Sequence, residues 1–356
     1  MLELRAAALY AGPPLTQRLA ETPPWSPLRL AFAIAGTLFA AFFALEAIFG
    51  RLALVFGDGT DHWCLEAQIN FRIALVMILL VAYLPAAYAI GARGARRTVE
   101  ELLPFLRARS DASQLTANSG RFDRVRLRRA GWIGVAYGFV IPVWTDRSID
   151  VWFLWRNSVE ALFQRGLVLM IGWFVGRFLY SVWAESRRLS QIGRDEVRVD
   201  LLDLRCFAPL TRQGLRYALL VVGMISIVTL NLFDYDKPGL LTVVAVANAV
   251  ALAAAATALL LPLRGARQAI SAAKRSELDW CDTELHRARA ALASQSLPSG
   301  VGTLADLVAW RGVVGAVPEW PLDAQTVRRF VLYLAIPIGS WLGGAFVERV
   351  VDFVLR

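Results

Sequence analysis

The chain has 356 residues, of which 57% are hydrophobic and 19% charged, with a net charge of +9 and a mean hydropathy of +0.49. That balance is far from an ordinary soluble domain, and it excludes intrinsic disorder, a secreted disulfide scaffold and a pure nucleic-acid binder. Of 38 basic residues only Lys237 and Lys274 are lysines. The arginines flank apolar runs, where they read as topology and lipid-headgroup anchors and not as a nucleic-acid surface. Cys64, Cys206 and Cys281 form no CxxC pair. No secretory signal peptide is expected, since Glu3 interrupts the start and two Pro-Pro pairs follow.

Crossing ~30 Å of hydrocarbon takes about 20 apolar residues. In chain order, the expected spans are Leu30–Gly50, Phe71–Gly91, a short segment Ala130–Trp144, Gly166–Ala184, Leu215–Leu232, Leu240–Leu263 and Phe330–Val347. The short segment carries Pro142 and reads equally as a tilted span, a half-span or a re-entrant piece. Arginine is concentrated in three linkers: ten in 92–130, six in 185–214 and eight in 264–329, which also holds Lys274. The opposite loops hold few basic residues, so the positive-inside rule puts all three linkers in the cytoplasm. The expectation is an all-α polytopic inner-membrane protein of about seven spans, with the N-terminus inside and the C-terminus outside.

Four regions follow: a cytoplasmic N-terminal segment (1–28), a membrane domain (29–263), a cytoplasmic helical extension (264–327), and the last transmembrane helix with its tail (328–356). In the extension, Leu263, Ala266, Ile270 and Ala273 form one apolar seam. Leu278, Cys281, Leu285, Ala288 and Leu292 form another. Together they predict a helix continuing about thirty residues, ~45 Å, beyond the sixth span. Ser296–Gly302 breaks it, a shorter helix around Thr303–Val314 follows, and Asp323 can N-cap the entry to the last span.

Catalytic signatures are missing from the sequence. The two histidines, His62 and His286, lie in different loops, and a zinc protease needs two one helical turn apart. Ser340 has no histidine in any span to activate it. The Gly57-Asp58 pair lacks the first glycine of the aspartyl intramembrane protease pattern. No phosphate-binding loop is present, and neither an enzyme nor a cofactor is expected. The loop 58–66 gathers Asp58, Asp61, His62, Cys64 and Glu66, types able to hold a divalent metal, but without a recognised spacing, and it reads as a solvated loop.

Charges inside spans cost a few kcal/mol and point to function or to a buried pair. Glu46, Arg177 and Asn248 are the intramembrane polar candidates. Gly172 and Gly176 make a GxxxG face beside Arg177, a signal for close helix packing. Arg177 reads as a snorkelling side chain or as the partner of a buried carboxylate. In the last span, Tyr333, Pro337, Ser340, Gly344 and Glu348 fall within an arc of about 80°, while Gly339 and Gly343 make a separate small-residue face. One face is suited to packing and the other to a polar path.

The order of parts resembles the layout of insect-type seven-helix chemoreceptor channels. Its elements are seven spans, a long cytoplasmic helix after the sixth, and a short helix before the last. This resemblance of topology implies a tetrameric pore lined by the last span, with cytoplasmic helices assembling the subunits. The functional expectation is an oligomeric pore or transport path in contact with anionic lipid headgroups. Its rival is a non-transporting scaffold or sensor that recruits a partner through its cytoplasmic helices.

Overall fold

The computed structural model describes residues 26–56, 62–106, 122–145, 159–230, 238–293, 301–321, 325–333 and 335. They form helices: α1 (Pro27–Ile48), the single turn α2 (Leu52–Val55), α3 (His62–Leu102), α4 (Arg124–Thr145), α5 (Val159–Asp195), α6 (Ala208–Thr229), α7 (Pro238–Ala293) and α8 (Val301–Ala316). Residues 325–333 are also helical. No extended sheet occurs among the described residues. One isolated antiparallel bridge pairs Leu106 with Val197.

Among the described residues, four stretches are long and apolar enough to cross a membrane: Pro27–Ile48, Phe71–Phe105, Phe163–Asp195 and Ala249–Ala290. The segment whose character the sequence left open lies within α4, one unbroken helix of 22 residues. Large apolar side chains face outward, with Phe32 74%, Ile48 75%, Trp132 62% and Ile133 70% exposed. A water-facing surface rarely carries so much exposed hydrocarbon, and its distribution on α1 and α4 fits a lipid-facing periphery.

Local chemistry sets the ends of α1. Ser26 is its N-cap, its side-chain oxygen accepting from the Arg29 N–H at 3.2 Å, and Pro27 occupies the first turn. At the other end Gly50 adopts φ 67°. Its N–H reaches the Ala47 carbonyl at 3.1 Å, and Arg51 N–H reaches Glu46 at 2.8 Å. This pair of bonds is the Schellman closure, which needs a left-handed residue.

Layering follows burial. Of the most apolar window of α3, 67% is buried, against 11% for α1, so α3 is interior and α1 peripheral. The main core lies between α3, α5, α6 and α7, where Leu84, Phe178, Leu210, Leu263 and Ile270 are essentially sealed. Helix α1 packs on α3, and α4 on α5. A phenylalanine group (Phe42, Phe71, Phe163) joins α1, α3 and α5, with ring centroids 5.9 and 6.0 Å apart.

Helix α7 runs 56 residues through Pro262, a length of ~84 Å. The expected seam residues Leu263, Ala266 and Ile270 are fully buried, as is Cys281. Helix α8 folds back along α7, antiparallel, through a ladder of polar contacts. Arg267 faces Glu319 at 3.6 Å and covers the Trp320 ring at 4.8 Å. Lys274 Nζ donates to the Gly315 and Val317 carbonyls at 2.7 and 2.9 Å. Trp310 Nε1 donates to Glu277 at 3.1 Å, and Arg311 Nε to Asp282 at 2.7 Å. The chain then returns to the bundle, where Thr211 of α6 donates to the Pro321 carbonyl at 3.3 Å and Val317, Trp320 and Phe330 join the main core. Asp323, the expected cap, lies outside the described residues.

Lys274 closes the C-terminal end of α8 with two charge-assisted bonds, a type that contributes about 1.5–3 kcal/mol when sheltered and less at a half-exposed site. Lys274→Met is expected to leave the membrane helices intact while speeding limited proteolysis between α7 and α8 several-fold. An unchanged cleavage rate would refute this role.

Candidate functional site

The contact between α4 and α5 is built from glycine. Helices α4 and α5 cross antiparallel with Ala130, Gly134 and Gly138 facing Gly176, Gly172 and Val168 in turn. A methyl group at Gly134 would overlap the Gly172 carbonyl oxygen and lie 3.1 Å from the Gly176 Cα; one at Gly176 would overlap the Ala130 carbonyl. Backbones meet here without side chains between them, as small residues allow. Trp173 fills the flank, 5.6 Å from the Trp132 ring centroid, and is the reason that Gly131 has no room for a side chain.

Arg177 sits one turn after Trp173, with its guanidinium carbon 5.3 Å from that ring's centroid. The charge rests on an aromatic face. No carboxylate lies within ion-pair distance of it among the described residues. Glu46 is buried on α1, 3% exposed, one turn beyond Phe42. Asn248 belongs to α7, but its side chain is outside the described set.

Of the proposed pore-lining residues, only Tyr333 is described; it is half-buried near the end of the last helical stretch. Pro337, Ser340, Gly344 and Glu348 lie outside the described residues, as do Gly339 and Gly343. In the loop 58–66, Asp58 and Asp61 are outside as well, along with the side chains of His62, Cys64 and Glu66. No cluster with metal-binding composition occurs among the described residues.

A second polar centre was not singled out in the sequence. It joins α3 to α6 at the Arg-rich end of the bundle. Gln213 is fully buried and donates through Nε2 to the Gly91 carbonyl at 3.1 Å. Tyr217, one turn on, donates to the same carbonyl at 3.3 Å. Arg216 Nη1 donates to Gln213 Oε1 at 2.7 Å. A methyl at Gly94 would strike the Arg216 guanidinium, so this glycine leaves space for the charge against the α3 backbone. Higher on the same interface, Tyr83 donates to the Leu220 carbonyl at 2.7 Å, across space left by Gly223. On α5, Glu185 and Ser186 are buried nearly completely, and Ser186 Oγ has no hydrogen-bond partner among the described residues.

Nothing in these centres pairs a nucleophile with a base. Cys206, in the short turn Leu204–Phe207 before α6, is buried, and burial pushes its thiol up to about 11, with the Asp203 carboxylate adding to the rise. Such a thiol stays protonated at neutral pH and is a poor nucleophile. What the arrangement does offer is tight backbone packing and an arginine held in place by a neutral amide. Comparison with known protein families, with curated proteins and with solved structures returns no match to this chain.

The glycine crossing generates a direct expectation. Gly134→Val inserts a branched side chain into backbone, an overpacking cost of about 1–3 kcal/mol or more. It should lower the melting temperature in detergent by several degrees. Gly166→Val on α5, where nothing lies within 4 Å, should melt much closer to wild type; equal losses at the two positions would contradict the crossing.

Proposed function

We propose that the chain is one subunit of an inner-membrane oligomer of about seven-span subunits, N-terminus inside and C-terminus outside, whose last span lines a shared conduction or transport path. The observation that carries this reading is where the apolar surface lies. The centre of the single bundle is filled by sealed side chains from α3, α5, α6 and α7, so a polar path belongs between copies. Meanwhile α8 and the stretch after it leave Val308 54%, Val313 48%, Val331 58% and Leu332 61% exposed. Contacts between copies through α8 would cover part of that surface, and the polar stripe of Pro337, Ser340, Gly344 and Glu348 would then line the axis. An ionised Glu348 makes such a rim prefer cations.

A second reading draws support from α7. One continuous helix joins the membrane bundle to the cytoplasmic pair α7–α8, a rigid lever suited to a scaffold or sensor whose exposed α8 recruits a different protein. The two readings separate by experiment. Purified protein should be oligomeric by mass photometry, Val308→Glu with Val313→Glu should shift it to monomers without unfolding it, and planar bilayers should carry a cation-selective current weakened by Glu348→Gln. A folded, monomeric and electrically silent wild type would reject the pore and leave the scaffold.

A further inference from the structure

A groove of about 290 Å³ opens at the Arg-rich end of the bundle, lined by Ser26 and Leu28 of the α1 start, Ile90, Arg93 and Arg97 of α3, and Arg216 of α6. Three arginines line it, and none of its lining among the described residues is a carboxylate. Its size is at the small end of ligand pockets, which start near ~300 Å³. Arg93 and Arg97 are four residues apart and so share one face of α3.

Arg216 is the built part of the site. Its guanidinium is fixed by a fully buried amide, Gln213, which is itself anchored on the Gly91 carbonyl. Fixing an arginine with a carboxylate would neutralise it; Gln213 orients the charge and leaves it in place. One N–H is used in this bond, and a guanidinium has five. Gly94 completes the seat by leaving room for the guanidinium against the α3 backbone. A guanidinium oriented by a neutral amide, with no ion pair among the described residues, beside two more arginines is the donor set that phosphate oxygens fit, often two at a time.

The groove's level identifies the source of the phosphate. It lies where the apolar run of α3 gives way to Arg93, Arg96 and Arg97, where α1 begins, and where α6 turns from Gln213 and Arg216 to hydrocarbon. Leu28, 65% exposed, forms part of its wall, and Phe32, 74% exposed, follows one turn further along α1. An acyl chain running along that outer face of α1 would place its headgroup phosphate at the three arginines.

We propose that this groove is a phosphate-binding site for the headgroup of an anionic phospholipid, with Arg216 and Arg97 as its principal ligands. The site stands independently of the pore reading, because none of its residues belongs to the last span. It is tested on the full-length protein by native mass spectrometry, titrating phosphatidylglycerol against phosphatidylcholine and, separately, inorganic phosphate. Wild type should retain phosphatidylglycerol selectively. Arg97→Gln and Arg216→Gln should each weaken retention by about tenfold, the loss of one charge-assisted contact. Gly94→Ala, which keeps every charge but displaces the guanidinium, should weaken it too. Arg205→Gln, at a side chain 93% exposed and outside the groove, should leave it unchanged.

If Arg216→Gln or Gly94→Ala fails to fold, the exposed Arg97 still carries the test. Failure of inorganic phosphate to displace the lipid supports the lipid as source, whereas full displacement at millimolar concentration would overturn the lipid in favour of a free phosphate anion. Equal weakening by Arg97→Gln and Arg205→Gln would overturn the site altogether, since general surface charge would then account for the binding.

Discussion

Direct contact between helix backbones is the constraint from which the rest of this bundle follows. In an apolar solvent, burying more hydrocarbon brings helices little advantage, so close approach and internal hydrogen bonding must hold them together. The chain meets that demand repeatedly. Gly134 meets Gly172 and Gly176 between α4 and α5; Gly265 of α7 lies on the Ser190 carbonyl of α5; and Gly214 of α6 sits against Leu259 of α7. Each contact draws two axes closer than side chains would permit. The same closeness lets Tyr83 and Gln213 reach carbonyls on the neighbouring helix.

Outside the apolar zone the means of attachment change. The extension of α7 is joined to α8 by charged and polar pairs, with Lys274, Glu277, Asp282 and Arg267 spaced along one side of α7. Pairs like these are weak singly when exposed, so α8 holds its place through their number and through the Val317–Trp320 segment docked on the core. That docking returns the chain to the Arg-rich end of the bundle beside Thr211, the end from which the stretch at 325–333 departs.

Much of this was legible beforehand. The apolar runs predict the long helices, and the seam from Leu263 to Ile270 predicts that α7 continues as a helix beyond its most apolar run. Gly172 and Gly176 stand out as a GxxxG face, yet the matching Ala130, Gly134 and Gly138 have the same four-residue spacing and were hidden in a segment judged mainly by its length. Arg177 invites a search for a distant carboxylate, while the structure answers with Trp173, one turn earlier on the same helix. Gln213 was invisible for a physical reason: it falls in an arginine-rich linker where polarity reads as exposure, and only tertiary packing against Gly91 shows it to be buried. Glu46 is buried as an intraspan charge should be, and the stripe from Pro337 to Glu348 remains a sequence argument.

The claim that backbone contact holds the bundle is tested most directly by comparing two glycine-to-alanine variants of the same protein in the same detergent. A methyl at Gly265 would overlap the Ser190 carbonyl, whereas one at Gly312, on α8, has nothing within 4 Å. Alanine gains about 1 kcal/mol of helix propensity at both. The account predicts that Gly265→Ala melts several degrees below wild type and that Gly312→Ala melts at or above it. Matching melting temperatures for the two variants would contradict it.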